Sequence, residues 1–269
     1  MSDEITQQLQ DLQTADLREE ADESSKPARP PPKVALFVKA GSDKECIGCC
    51  LFSQRLFMLL WLKGVVFNVT TVHHTRVKEY AVGGERPPFM IFNGETLTDI
   101  PKCEDYIEAE LHPPNYPILA CKYAESATVG NDIFAKFSAF IKFNGDRRSE
   151  DAKKREQGLV AALRKLDNYL KKPLDHEIDA DSDDNEGEST RNFIDGSYMT
   201  IADCNMLPKL HIIRIAGKAL ADFEIPPEFT GIHRYLHAAD QTEEFVQTCA
   251  SPEEIIATYG GGSKLPHKK

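Results

Sequence analysis

The chain has 269 residues, 41% of them apolar and 9% aromatic, which is enough to bury a sizeable core and excludes disorder throughout. Its 43 acids outnumber its 32 bases, the net charge is −11 and no lysine- or arginine-rich block occurs, so nucleic acid is excluded as a partner. The charge is concentrated: residues 1–33 hold eight acids and four bases, Asp175–Glu188 holds eight acids and no base, and the remainder is nearly neutral.

Residues 1–33 are polar and end in a proline-rich run, which predicts a disordered extension. Val34–Lys39 is a short apolar run bounded by proline and Gly41-Ser42-Asp43, as a buried strand would be. From Cys50 to Lys63 apolar residues recur at three- and four-residue spacing and Gly64 follows, which predicts a helix with a glycine C-cap. Val66–Val72 is β-branched and reads as a second strand. Pro87–Phe92 and Glu95–Thr98 flank Asn93-Gly94, the dipeptide that tolerates two positive φ angles in a type I′ hairpin turn. Ile100–Leu111 supports a further helix. Strand, helix, strand, short helix, two strands and helix over this span is the order of a thioredoxin-like domain.

After Pro117 the periodicity is helical, at Asn131–Phe143, Asp151–Lys171, Ile201–Gly217, Phe229–Ala239 and Pro252–Tyr259. The predicted fold class is thus α/β followed by all-α. The boundaries are a 1–33 extension, a thioredoxin-like domain over 34–117, a helical domain over 118–259 with an acidic loop at 175–188, and a 260–269 tail. Thr200 and Asp203 have the spacing of a capping box, giving Asp203 a structural role, and Pro208 should kink its helix.

Seven cysteines, three of them at Cys46, Cys49 and Cys50, do not form a secreted disulfide framework, and the N-terminus carries no signal or transit pattern, so a reducing cytosol is expected. Cys50 falls at the N-terminus of the first helix, where the helix dipole and free N–H groups stabilise a thiolate. The alternative is a buried cysteine serving as a small hydrophobe. Ser53 stands where dithiol thioredoxins place their second cysteine, so the chemistry would be monothiol, with glutathione as co-substrate. No metal is expected, because a zinc site needs four ligands and only His73 and His74 lie near the cysteines. Pro88 reads as a cis-proline that turns the backbone toward Cys50, or as an edge-strand proline. Thr98 and Asp99 could meet a ligand's amino group, or Asp99 could cap the next helix.

Several runs resemble the chloride intracellular channel (CLIC) proteins: Phe37–Asp43, Phe52–Met58, Leu60–Val65, Phe67–Val72, Asp132–Ala139 and Ala202–His211. The resemblance spans Val34 to Tyr259 and implies a glutathione-transferase-like fold related to the omega class, with glutaredoxin-like activity at Cys50. It further implies glutathione contacts at Lys39, Phe52, Ser53, Pro87, Pro88, Thr98 and Asp99. A soluble cytoplasmic form that enters lipid membranes conditionally, in a single pass, and conducts chloride is implied too, with Arg55, Trp61 and Lys63 in the inserting segment. Cytoskeletal or other protein partners belong to the same expectation, and a non-catalytic interaction protein that keeps the fold is the alternative. Cys49-Cys50-Leu51 departs from the family's asparagine, cysteine, proline.

Overall fold

The computed structural model describes residues 30–80, 84–178 and 187–260. The 260–269 tail beyond Gly260, the middle of the acidic loop and nearly all of the 1–33 extension lie outside these residues.

Four strands, β1 (Val34–Lys39), β2 (Phe67–Val72), β3 (Phe89–Phe92) and β4 (Glu95–Leu97), form one sheet in the order β2-β1-β3-β4. β1 runs parallel to β2 and antiparallel to β3, which pairs antiparallel with β4. Helix α1 (Leu51–Lys63) supplies the crossover that a parallel β1–β2 pair requires. Gly64 ends it at φ 69°, where glycine carries no Cβ penalty. α2 (Val77–Tyr80) is a single turn, and α3 (Ile100–Glu110) follows β4. The hairpin turn is as read, with Asn93 at φ 49° and Gly94 at φ 93°.

β1 alternates as a half-covered strand does. Val34, Leu36 and Val38 are buried, whereas Phe37 turns to the other face and stacks on Phe89 with ring centroids 4.5 Å apart. Burying a side chain the size of Leu36 or Val38 contributes about 1.5–3 kcal/mol. α1 is buried nearly all round, including Leu56, Met58, Leu59 and Leu60, because the sheet covers one side and the helical half the other.

The helical half comprises α4 (Ala124–Thr128), α5 (Ile133–Ile141), α6 (Glu150–Lys171), α7 (Ile201–Ala221), α8 (Thr230–Ala239), α9 (Glu243–Val246) and α10 (Pro252–Tyr259). α4 and α9 have no counterpart among the predicted helices, since five and four residues are too few to show a period. From Lys33 onward the chain forms one compact unit, and a single apolar cluster runs from Val34 to Ile255. α7 packs on α1 and on α10 and so forms the spine. Asp203, fully buried, accepts the Thr200 N–H at 2.8 Å, the Thr200 hydroxyl at 3.0 Å and the Ile194 N–H at 3.0 Å. α7 starts at Ile201 and continues through Pro208 to Ala221 as one helix.

The acidic loop is anchored to the fold at its start. Asp175–Glu177 forms a 3₁₀ turn, and Glu177 accepts from the Leu174 N–H (2.7 Å), the Ser189 hydroxyl (2.6 Å) and the Arg191 guanidinium (3.2 Å). Desolvation pushes the Glu177 carboxyl up, but Ser189, Leu174 and Arg191 outweigh it and hold the group below its usual range. Averaging charge over the segment hid one acid with a packing role. Removing residues 179–188 is therefore expected to lower stability by no more than about 1 kcal/mol, the scale of an exposed ion pair, while Glu177→Ala costs about 2–3 kcal/mol by stranding Arg191. Urea unfolding of the two variants checks this.

Candidate active site

Gly48 sets the site's backbone. Its N–H bonds to the Lys39 carbonyl at 2.8 Å, folding the cysteine loop back onto the end of β1, and a Cβ there would lie 2.3 Å from the Ala40 carbonyl oxygen. Only glycine allows this approach. Cys50 follows in extended geometry (φ −154°, ψ 114°) as the N-cap of α1, and its carbonyl accepts the first helical bond, from the Gln54 N–H at 3.1 Å. It is half-buried and free. Its sulfur thus belongs to the residue that faces the unpaired N–H groups and positive pole of the helix.

The two neighbouring thiols are poor competitors. Hydrogen bonding to the Asp43 carboxylate, helped by desolvation, pushes exposed Cys46 up to about 11, and burial pushes Cys49 up to about 11. Both stay protonated at neutral pH. Lys39 donates from Nζ to the Cys49 carbonyl at 3.2 Å, which brings an ammonium group beside the cysteine pair.

The other candidates take distinct places. Ser53 is fully buried and accepts the Lys39 N–H at 3.1 Å, so in this conformation its hydroxyl braces β1 against α1. The Pro87–Pro88 bond is cis and Pro88 is buried at the head of β3; a second cis bond, Pro113–Pro114, was not anticipated. Asp99 is the N-cap of α3, accepting the Lys102 N–H at 3.1 Å, and Thr98 beside it is exposed. Phe52, 53% exposed, projects from the first turn of α1. Lys39 ends β1 beside the head of β3, where Pro87 and Pro88 stand, and Thr98 and Asp99 follow β4 at that same end of the sheet, since Leu97 pairs with Met90 and Phe37 with Phe89. Cys50 joins this end through Cys49, whose carbonyl Lys39 holds.

Arg55, Trp61 and Lys63 lie along the rest of α1, inside the fold. Arg55 forms an ion pair with Glu104 of α3 and donates to Asn205 of α7 at 3.0 Å. The Trp61 ring sits 5.8 Å from that of Phe57. Lys63 is fully buried, donates to the carbonyls of Leu111 (2.7 Å) and Pro117 (2.8 Å) and forms an ion pair with Glu108 (2.9 Å). Leu56–Val72 is accordingly a helix and a sheet strand, and no helix among the described residues is long and apolar enough to cross a membrane.

The helical half contributes walls that the sequence did not disclose. Ile212 of α7 and Ile255 of α10, with Thr248 and Ala250, enclose a small void of about 10 Å³ beside Cys49, Cys50 and Gln54. Glu254 of α10 accepts from both the backbone N–H and the hydroxyl of Ser42, and Thr258 reaches the Cys49 sulfur. No periodic signal links Ser42 to Glu254. On the open side a larger cavity of about 790 Å³ is lined by Lys39 and Pro87 together with His73, His74, Lys78 and Arg86. The rule that ligands bind beyond the carboxyl ends of parallel strands would have singled out this stretch after β2.

Lys209, one turn beyond Asn205 on α7, is pushed down to about 8 by burial, with Arg55 adding to the effect. Between about 8 and its ordinary 10.5 the unfolded chain holds this proton and the folded chain does not, so the group makes stability rise with pH in that window. Lys209→Met should flatten that slope and stabilise at pH 7 by about 1–2 kcal/mol, after allowance for partial exposure. Urea unfolding at pH 7 and 9.5 measures both effects.

Residues 32–114 match the CLIC-like N-terminal domain. Over 86% of both chains the structure superposes on EXC-4, the CLIC homologue of C. elegans, with a TM-score of 0.72 and 26% identity. Residues 32–114 thus form a CLIC-like N-terminal domain. The fold of the chain resembles that of the glutathione transferases. Chlamydomonas reinhardtii dehydroascorbate reductase is similar over 86% of this chain and 99% of its own, at 21% identity and a TM-score of 0.67. A rice glutathione transferase solved in complex with glutathione is similar over 87% and 97%, at 13% identity and a TM-score of 0.59. These two likenesses establish the architecture of this chain, a small mixed sheet followed by a helical region.

Proposed function

We propose that this protein is a glutathione-dependent monothiol oxidoreductase with Cys50 as its nucleophile. The observation that carries the reading is the position of Cys50 as N-cap of α1, beside two thiols that burial and an acidic neighbour hold protonated. In the first step the Cys50 thiolate attacks the glutathionyl sulfur of a mixed disulfide; the substrate's sulfur–sulfur bond breaks, its thiolate leaves and takes a proton from water, and Cys50 becomes glutathionylated. A second glutathione thiolate then attacks the glutathionyl sulfur, releasing oxidised glutathione and the Cys50 thiolate. No second cysteine is needed, which agrees with Ser53 being engaged by the Lys39 backbone. The strand opening at Pro88 would pair with the tripeptide's backbone, and Lys39 and Phe52 would flank it.

The test is to treat the protein with oxidised glutathione and map the adduct by peptide mass spectrometry. One glutathionyl group on Cys50 is expected, and an adduct confined to exposed Cys46 would overturn the assignment.

A further inference from the structure

The 790 Å³ cavity lies at the upper end of the range for small-molecule sites. Its floor is the end of β1, one wall is the segment from Val72 to Lys78, another is Gly84 to Pro87, and the last is α10. Lys39, Lys78 and Arg86 bring three fixed cations to it, and His73 and His74 stand together with ring centroids 4.0 Å apart. Of the described residues that line it, Glu254 carries a carboxylate already engaged by the Ser42 N–H and hydroxyl, and Glu85 stands in the wall between Gly84 and Arg86. Desolvation, with His74 and Lys44 adding to it, lowers the affinity of His73 for a proton. This concentration of positive charge stands out on a chain whose net charge is −11.

Lys39 belongs to this groove and also bonds the Cys49 carbonyl, which connects the groove to the cysteine loop that precedes α1. We propose that the groove selects the substrate: it receives the acidic residues flanking the modified cysteine of a glutathionylated polypeptide. The inference rests on the oxidoreductase reading and names its substrate class. Several carboxylates spaced along an extended peptide match cations carried by β1, the segment after β2 and the approach to β3. Exposed charges of this kind chiefly raise the association rate and specificity, so the effect should be strongly dependent on salt.

The experiment compares two synthetic peptides carrying the same glutathione mixed disulfide, one flanked by Asp and Glu, the other by Asn and Gln. For the wild-type protein kcat/KM should favour the acidic peptide by about tenfold or more at low salt, and the preference should fall toward unity near 0.5 M salt, where the screening length is only a few ångströms. The exposed pair Lys78→Gln and Arg86→Gln should abolish the preference while leaving turnover of bis(2-hydroxyethyl) disulfide unchanged. Equal rates on the two peptides overturn the proposal, as does a raised KM for glutathione in the double variant with the peptide preference intact. Should no disulfide be turned over, the oxidoreductase reading falls separately, and fluorescence anisotropy with the corresponding Cys→Ser peptides still decides the groove. Tighter binding of the acidic peptide that the double variant loses supports it, and equal binding overturns it.

Discussion

Cys50→Ser should reduce glutathione-dependent disulfide reduction by about a thousandfold or more, since a serine hydroxyl is not ionised at neutral pH and cannot form the mixed disulfide. Ser53→Ala should leave the rate within a few-fold and instead cost about 1 kcal/mol of stability, because the Lys39 N–H loses its acceptor. Cys49→Ser should be nearly neutral in activity, given a thiol buried and held near 11. A glutathione-coupled reductase assay on the three variants, with urea unfolding alongside, separates the roles. If Cys49→Ser removed activity and Cys50→Ser did not, the nucleophile would be assigned one residue too late. Absence of activity in the wild type would leave the non-catalytic interaction protein.

Lys63→Met should produce the largest loss of stability, about 3–5 kcal/mol, because it leaves a carboxylate and two carbonyls without their shared donor. Adding Glu108→Gln should recover part of the loss by removing the stranded charge, and the difference between single and double variants in urea unfolding gives the coupling. The consequence reaches the channel expectation. A segment from Leu56 to Val72 that entered a bilayer would carry Lys63 away from Glu108, Leu111 and Pro117, and would strip β2 from its parallel pairing with β1. A change in liposome conductance on Lys63→Gln would therefore report a loosened fold as readily as a pore residue. Protection of residues 50–72 from protease in liposomes under acidic, oxidising conditions, measured on the wild type, is the direct test.

Local chemistry made most of the sheet and long helices legible. β1 shows its alternation, the β2 run is β-branched, Gly64 closes α1, and Asn93-Gly94 turns the hairpin; each signal acts within a few residues, where sequence is informative. What stayed hidden is contact across the fold. Nothing near Arg55 announces Glu104 and Asn205, and nothing near Lys63 announces two carbonyls about fifty residues on. Read along the chain, Lys63 was a charge interrupting an apolar run; in three dimensions it fastens the end of α1 to the connection with the helical half. The site divides the same way. The N-cap position of Cys50 and the cis bond before Pro88 were legible from their places in the element order, whereas the contacts of Glu254 and Thr258 could be found only by folding.

The contact between Ser42 and Glu254, 212 residues apart, bears on how the protein is made. Synthesis proceeds from the N-terminus, so the three clustered cysteines leave the ribosome long before α10 exists. Until that last helix docks, Cys49 lacks Thr258 and Ile255, the groups that help to shut it away from water. If Cys50 is the nucleophile proposed above, a nascent chain or one truncated before α10 would present a less selective set of thiols, because α10 is what closes over Cys49.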